Sequence, residues 1–127
     1  MTGNQLFERA LDLLGLRNEN AQAPSDTDDL KSRALTLINV VLAESSSLDC
    51  RIRKTEHTVK AVSSLEEELD CADIVLQSVL PYGLARLLIL GEDDALAGSM
   101  TRLYEEAKRS AIKFGKAKAE SITEVYK

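Results

Sequence analysis

The sequence predicts an all-α fold, a small helical bundle of about four main helices around a kinked central one. Three observations carry this. Residues 70–91, DCADIVLQSVLPYGLARLLILG, are the longest apolar run, with Ile74, Val75, Val79, Leu80, Leu84, Leu87, Leu88, Ile89 and Leu90 on every side of a helical wheel. A helix apolar all round is a buried one. The stretches on either side carry apolar residues at three- and four-residue spacing, the period of amphipathic helices. Aromatic residues make up only 4% of the chain and Trp is absent, so the core must be Leu, Ile, Val and Ala, which favours helices over a β-sandwich.

Taken in order, residues 2–16 form the first helix. Thr2 and Gln5 have capping-box spacing, Leu6, Ala10, Leu13 and Leu14 share a face, and Gly15 marks the stop. Residues 17–25, RNENAQAPS, read as a polar connector punctuated by Pro24. The second helix spans residues 26–46, with Asp26 as N-cap and Asp28 and Asp29 in the first turn, where the helix dipole favours acids. Its apolar face is Leu30, Ala34, Leu37, Ile38, Val41 and Leu42; Asn39 beside it is expected to make a hydrogen bond that fixes packing.

Residues 48–69 lack a clean periodicity. A short β-hairpin or extended arm at about 50–63 fits Thr58-Val59-Lys60-Ala61-Val62, and Ser64 with Glu67 repeats the capping-box spacing. The central helix follows over residues 70–90. Pro81 lacks a backbone donor and clashes with the carbonyl four residues back, so a kink or break is expected near Leu80. The last helix is predicted over residues 92–118, capped by Asp93 or Asp94. It has an apolar stripe of Leu96, Met100, Leu103, Tyr104, Ala107, Ala111 and Phe114 and a basic face of Arg102, Lys108, Arg109, Lys113, Lys116 and Lys118. The chain thus divides into a helical bundle domain, 1–118, and a C-terminal tail, 119–127.

A membrane span needs about 20 mostly apolar residues, and Asp73, Gln77, Pro81 and Arg86 interrupt the central run. The net charge of −5 argues against a dedicated nucleic-acid binder, whose affinity rests on phosphate neutralisation. Cys50 and Cys71 are too few for a disulfide framework, and with one His they cannot fill a four-ligand zinc site, so two free thiols in a reducing cytoplasm are expected. The N-terminus has no basic region followed by an apolar one, so no export leader is read there.

Glu66, Glu67, Glu68, Asp70 and Asp73 read as a solvated acidic face, because adjacent carboxylates on a helix diverge and no calcium-loop pattern surrounds them. Cys50 with His57 could in principle make a Cys-His nucleophile, but no catalytic signature surrounds either residue, and no phosphate-binding glycine loop is present. No catalytic residue, cofactor or metal site is therefore expected. Acid gathers at 66–73 and 92–94, base at 51–60 and along the last helix. Such segregated charge suits head-to-tail pairing of copies.

The order of an N-terminal helix, LKSRALTLINVVLAE, a polar stretch, then SLEEELDCADIVLQSVLPYGLARLLILGEDDALAGSMTRLYEEAKR resembles the small head–tail connector (adaptor or head-completion) proteins of tailed bacteriophages and prophages. The matched features are the Asn39-bearing helix, the acidic lead-in from Leu65 to Asp70, Leu80-Pro81-Tyr82-Gly83-Leu84-Ala85, the Glu92-Asp93-Asp94 break and Leu103-Tyr104-Glu105, over roughly residues 26–110. The resemblance implies a non-enzymatic virion protein, assembled in the bacterial host cytoplasm, that forms a ring beneath the portal and links capsid to tail. Its partners would be the portal protein, tail or stopper proteins and copies of itself, with non-specific contact to packaged DNA and no membrane. It implies portal contact through Ser121, Ile122, Thr123, Glu124, Val125 and Tyr126. Arg51, Arg53, Lys54, His57 and Lys60 would face a neighbouring subunit or the tail. The alternative is a small helical DNA-binding or regulatory module using the basic last helix.

Overall fold

The computed structural model of the chain describes residues 1–16 and 28–125, with side chains over 1–16 and 29–114. In chain order the helices are α1 (Gly3–Leu14), α2 (Asp28–Glu44), α3 (Ser46–Arg53), a π-helical turn (Val75–Val79), α4 (Leu80–Ile89) and α5 (Asp94–Val125). No strand occurs among the described residues, and the fold is an all-α bundle. The connector at 17–25 and the proposed Asp26 cap lie outside the described residues.

The start of α1 is the expected capping box. Gln5 N–H donates to Thr2 Oγ1 at 3.2 Å and Thr2 N–H to Gln5 Oε1 at 2.9 Å, satisfying amides that no helical carbonyl reaches. Gly15 ends the helix in the left-handed region, φ 71°, where a side chain would be strained. Leu6, Phe7, Ala10, Leu11 and Leu14 are buried on one face.

The second helix stops at Glu44 instead of 46. Ser45 forms a corner, its N–H shared between the carbonyls of Val41 and Leu42, and the chain resumes at once as α3. The serine run 45–47 suits a corner because its hydroxyls compete with helical hydrogen bonds. Of the hairpin or extended arm expected at about 50–63, the hairpin is absent among the described residues and the first part, 50–53, is helical. Residues 46–53 are helical, and the chain beyond is an irregular strap, not a paired ribbon. The strap has other partners for its backbone. Asn39 Nδ2 donates to Val62 C=O and Val62 N–H to Asn39 Oδ1, both at 2.9 Å, so one amide replaces a pair of ladder bonds. Val59 N–H donates to Ser46 Oγ at 3.1 Å. Asn4 N–H donates to Leu65 C=O and Leu69 N–H to Met1 C=O, each at 2.8 Å. Val59, Val62 and Leu69 are buried beneath it.

The central helix begins at residue 73, three positions later than expected, and the anticipated break is a π turn. Leu80 N–H bonds to Val75 C=O, five residues back. Widening the helix before Pro81 accommodates a residue that cannot donate and whose ring would strike the carbonyl of Gln77. After the turn, α4 is the hub of the bundle, packed by α1, α2 and α5, with Leu80, Pro81, Gly83, Leu84, Ala85, Leu88 and Ile89 buried.

Asp93 caps α5 by accepting Leu96 N–H at 3.0 Å. Ala97, Met100, Tyr104 and Ala111 form its buried line. Phe114, expected on that line, is instead 53% exposed. The helix continues to Val125 rather than ending near 118, so residues 119–125 are part of α5. No helix among the described residues is long and apolar enough to cross a membrane.

Candidate functional site

The stretch named from sequence as a contact surface is built on α3 and the strap. Its five residues divide into two kinds. Arg51, Lys54 and Lys60 are exposed. Arg53 and His57 are half-buried and turn inward onto a carboxylate that the sequence reading passed over, Asp49. Asp49 is 0% exposed. Its Oδ1 accepts Ala72 N–H at 2.7 Å; its Oδ2 lies 2.6 Å from His57 Nε2 and 3.2 Å from Arg53 Nε. Arg53 also reaches Asp70 Oδ1 at 2.9 Å. A buried carboxylate is tolerable only when its lone pairs are used and its charge is paired. Asp49 meets both conditions and in doing so ties both ends of the strap to α3.

Cys50 stands beside this knot. Its Sγ lies 2.8 Å from His57 C=O, 3.7 Å from His57 Nδ1, and accepts His57 N–H at 3.4 Å. Thr55 Oγ1 is 2.9 Å from the same Nδ1. Cys71, next to Ala72, is buried, and burial pushes its thiol up to about 12, with the Asp49 charge adding to the effect. Both cysteines are free thiols. The sequence showed Cys50 and His57 but not their geometry. The missed member was Asp49, which lies in the stretch 48–69 where no clean periodicity marks an element.

The acidic face is more tied down than its sequence suggests. Glu68 pairs with the Met1 ammonium at 2.8 Å and Asp70 with Arg53. Glu67 accepts the Ser63 hydroxyl at 2.6 Å and the Ser63 N–H at 3.0 Å, which hold its carboxyl below the usual range. The Ser64–Glu67 spacing is thus a turn and not a helix cap. Among the described residues no group of three or more His, Cys, Asp or Glu could hold a metal ion.

On α5, Arg102, Arg109 and Lys113 are exposed. Lys108 folds back over the Tyr104 ring, 4.2 Å from its centroid, and pairs with Glu105 at 2.9 Å. Arg86 of α4 lies 4.7 Å from the same centroid and pairs with Glu44, which also accepts the Tyr104 hydroxyl at 3.3 Å. Tyr104 is therefore a buried ring held between two cations, and burial raises its phenol. Phe114 closes one side of a shallow cleft whose apolar wall is Ile52, Ala72 and Ile74 and whose polar rim is Asp73, Gln77 and Ser78.

Ser121, Ile122, Thr123, Glu124 and Val125 lie on the helical backbone at the end of α5; Tyr126 lies outside the described residues. No family model matches the chain, and no curated protein or solved structure is similar to it.

Proposed function

We propose that this chain is a structural subunit of a tailed-phage head–tail connector, assembling with copies of itself beneath a portal and linking it to tail components. The observation that supports the reading best is the disproportion of α5. It runs from Asp94 to Val125, whereas its principal partner α4 is only ten residues long. At about 1.5 Å per residue the helix is close to 50 Å long, and Ala111 is the last buried position among its described side chains. Phe114 and Ile112 are exposed where that burial ends. Beyond them the sequence carries Ile122, Val125 and Tyr126 at the i, i+3, i+4 spacing of a helix-in-groove anchor. Exposed apolar side chains on a helix that runs on past its last buried position suit a protein whose work is to bind other proteins.

The test is co-sedimentation of the purified chain with an assembled portal ring from the same genome. Full-length protein is expected to bind, and protein truncated after Gly115 is expected to stay folded and lose binding. A full-length chain that stays monomeric beside the portal at high concentration would refute the proposal. So would tight duplex-DNA binding that weakens steeply with salt, which belongs to the DNA-binding alternative.

A further inference from the structure

The two ends of α5 differ in charge, and each carries an apolar side chain left exposed. At its start, α4 passes to α5 through residues 90–94. Leu90 is 61% exposed. Glu92, Asp93 and Asp94 beside it are exposed, and none of the three is paired with a cation among the described residues. Capping accounts for Asp93, which accepts Leu96 N–H, and Asp94 accepts Gly91 N–H at 3.3 Å, but neither role needs an apolar side chain at the tip. Toward the other end, Phe114 is 53% exposed and closes the cleft walled by Ile52, Ala72 and Ile74. Arg51 and Lys113, chain neighbours of Ile52 and Phe114, are exposed, as is Lys54 where α3 ends. Asp49 and Asp70 are taken up by Arg53 and His57, which leaves Asp73 on the cleft rim and Glu56 in the strap as the exposed acids here. At about 1.5 Å per residue, positions 94 and 114 stand about 30 Å apart along α5. The two ends of one copy therefore cannot meet each other.

We infer that Leu90 of one copy seats in the Phe114 cleft of a second copy, with Glu92, Asp93 and Asp94 facing Arg51, Lys54 and Lys113. The occupant is a second copy because the chain supplies the complement of each end. An apolar knob ringed by acid meets an apolar cleft flanked by base, and complementary charge fixes which end meets which. The three acids come in beside Asp73, the one rim group of the same sign, so the contact works against that carboxylate. A contact between unlike ends is heterologous. Each copy keeps one free knob and one free cleft, so copies add head to tail until a ring closes or a filament runs on. The inference rests on the self-assembly part of the connector reading and names the two surfaces for it.

Its test is sedimentation velocity of the full-length chain alone, at rising concentration and at low and high salt. The parent is expected to form species larger than a dimer that fall back toward monomer as salt screens the charges. Leu90→Asp and Phe114→Asp alter side chains that are already exposed. Each should keep the parent's circular dichroism spectrum and weaken association at least about tenfold. Mixed, the two restore a single contact, because the Phe114→Asp copy offers an intact Leu90 and the Leu90→Asp copy an intact cleft. The mixture should sediment as a discrete heterodimer that neither variant forms alone. Asp73→Asn, which removes the like charge on the rim, should tighten association of the parent about threefold. A parent that stays monomeric at high concentration overturns the inference. So does a mixture without the heterodimer, the result a symmetric contact would give. No portal is present, so failure here leaves the portal test standing, and a chain that associates in this way but ignores the portal keeps this contact and loses the connector reading.

Discussion

Replacing Gly83 by alanine tests how α4 and α5 meet. A Cβ built on Gly83 would lie 2.8 Å from Cε1 and 2.9 Å from Cζ of Tyr104, with Cδ1 at 3.2 Å. Carbon atoms pack comfortably at about 3.5–4.0 Å, so either the ring or α5 must yield by most of an ångström. The ring has little room to do so. It is 1% exposed, lies against Arg86 and Lys108, and its hydroxyl bonds Glu44. Overpacking a closed site costs about 1–3 kcal/mol, and alanine returns up to ~1 kcal/mol of helix propensity. The net expectation is a loss of about 1–2 kcal/mol, a fall of several degrees in Tm for a domain of this size. Thermal and urea unfolding of Gly83→Ala, Tyr104→Leu and the double variant form the cycle that reads this. With the ring gone the clash is gone, so alanine at 83 should be neutral or slightly stabilising in the Tyr104→Leu background. Equal effects of Gly83→Ala in both backgrounds would refute the close-approach argument, as would a rise in Tm in the parent.

Other consequences follow from single contacts. Asn39→Ala leaves both backbone groups of Val62 without their partners and should cost about 2–4 kcal/mol in urea unfolding, with proteolysis rising first in the strap. Lys54 ends α3 at φ 59°, ψ 37°, so Lys54→Gly should stabilise by about 1 kcal/mol, read as a higher Tm. Above pH 9 an unfolded Cys71 thiol loses its proton from near 9.0 while the native one holds it to about 12. The unfolded chain then binds fewer protons, so this residue's contribution to stability is lost as pH rises through that window. Cys71→Ala should flatten the alkaline fall in Tm relative to the parent.

Local rules that act within a few residues made much of the bundle legible. Thr2 and Gln5 wrote their capping box within one turn, and Asp93 its cap three residues from Leu96. Pro81 announced a break because its missing donor and its clash with the carbonyl four residues back are properties of one residue. The all-round apolar run at 74–90 placed the hub of the core, because no amphipathic surface helix has that pattern. The extra length of α5 was not legible in the same way. Alanines and lysines at 116–120 sustain a helix with little apolar signal to mark where it ends.

What the sequence by itself determined was the helical character, the order of the main elements, the break before α4 and which helix would be buried. Tertiary structure decided the rest. The strap at 54–72 has no period of its own, so its course depends on groups distant in sequence: Asn39 meeting Val62, Met1 meeting Leu69, and Asp49 meeting both His57 and Ala72. Gly83, two residues after Pro81, is the place where an aromatic ring from α5 approaches the α4 backbone. Cys50 and His57 gained a shared geometry only because a buried carboxylate needs partners for its charge and lone pairs, and the nearest donors came from chain segments that no local pattern had brought together.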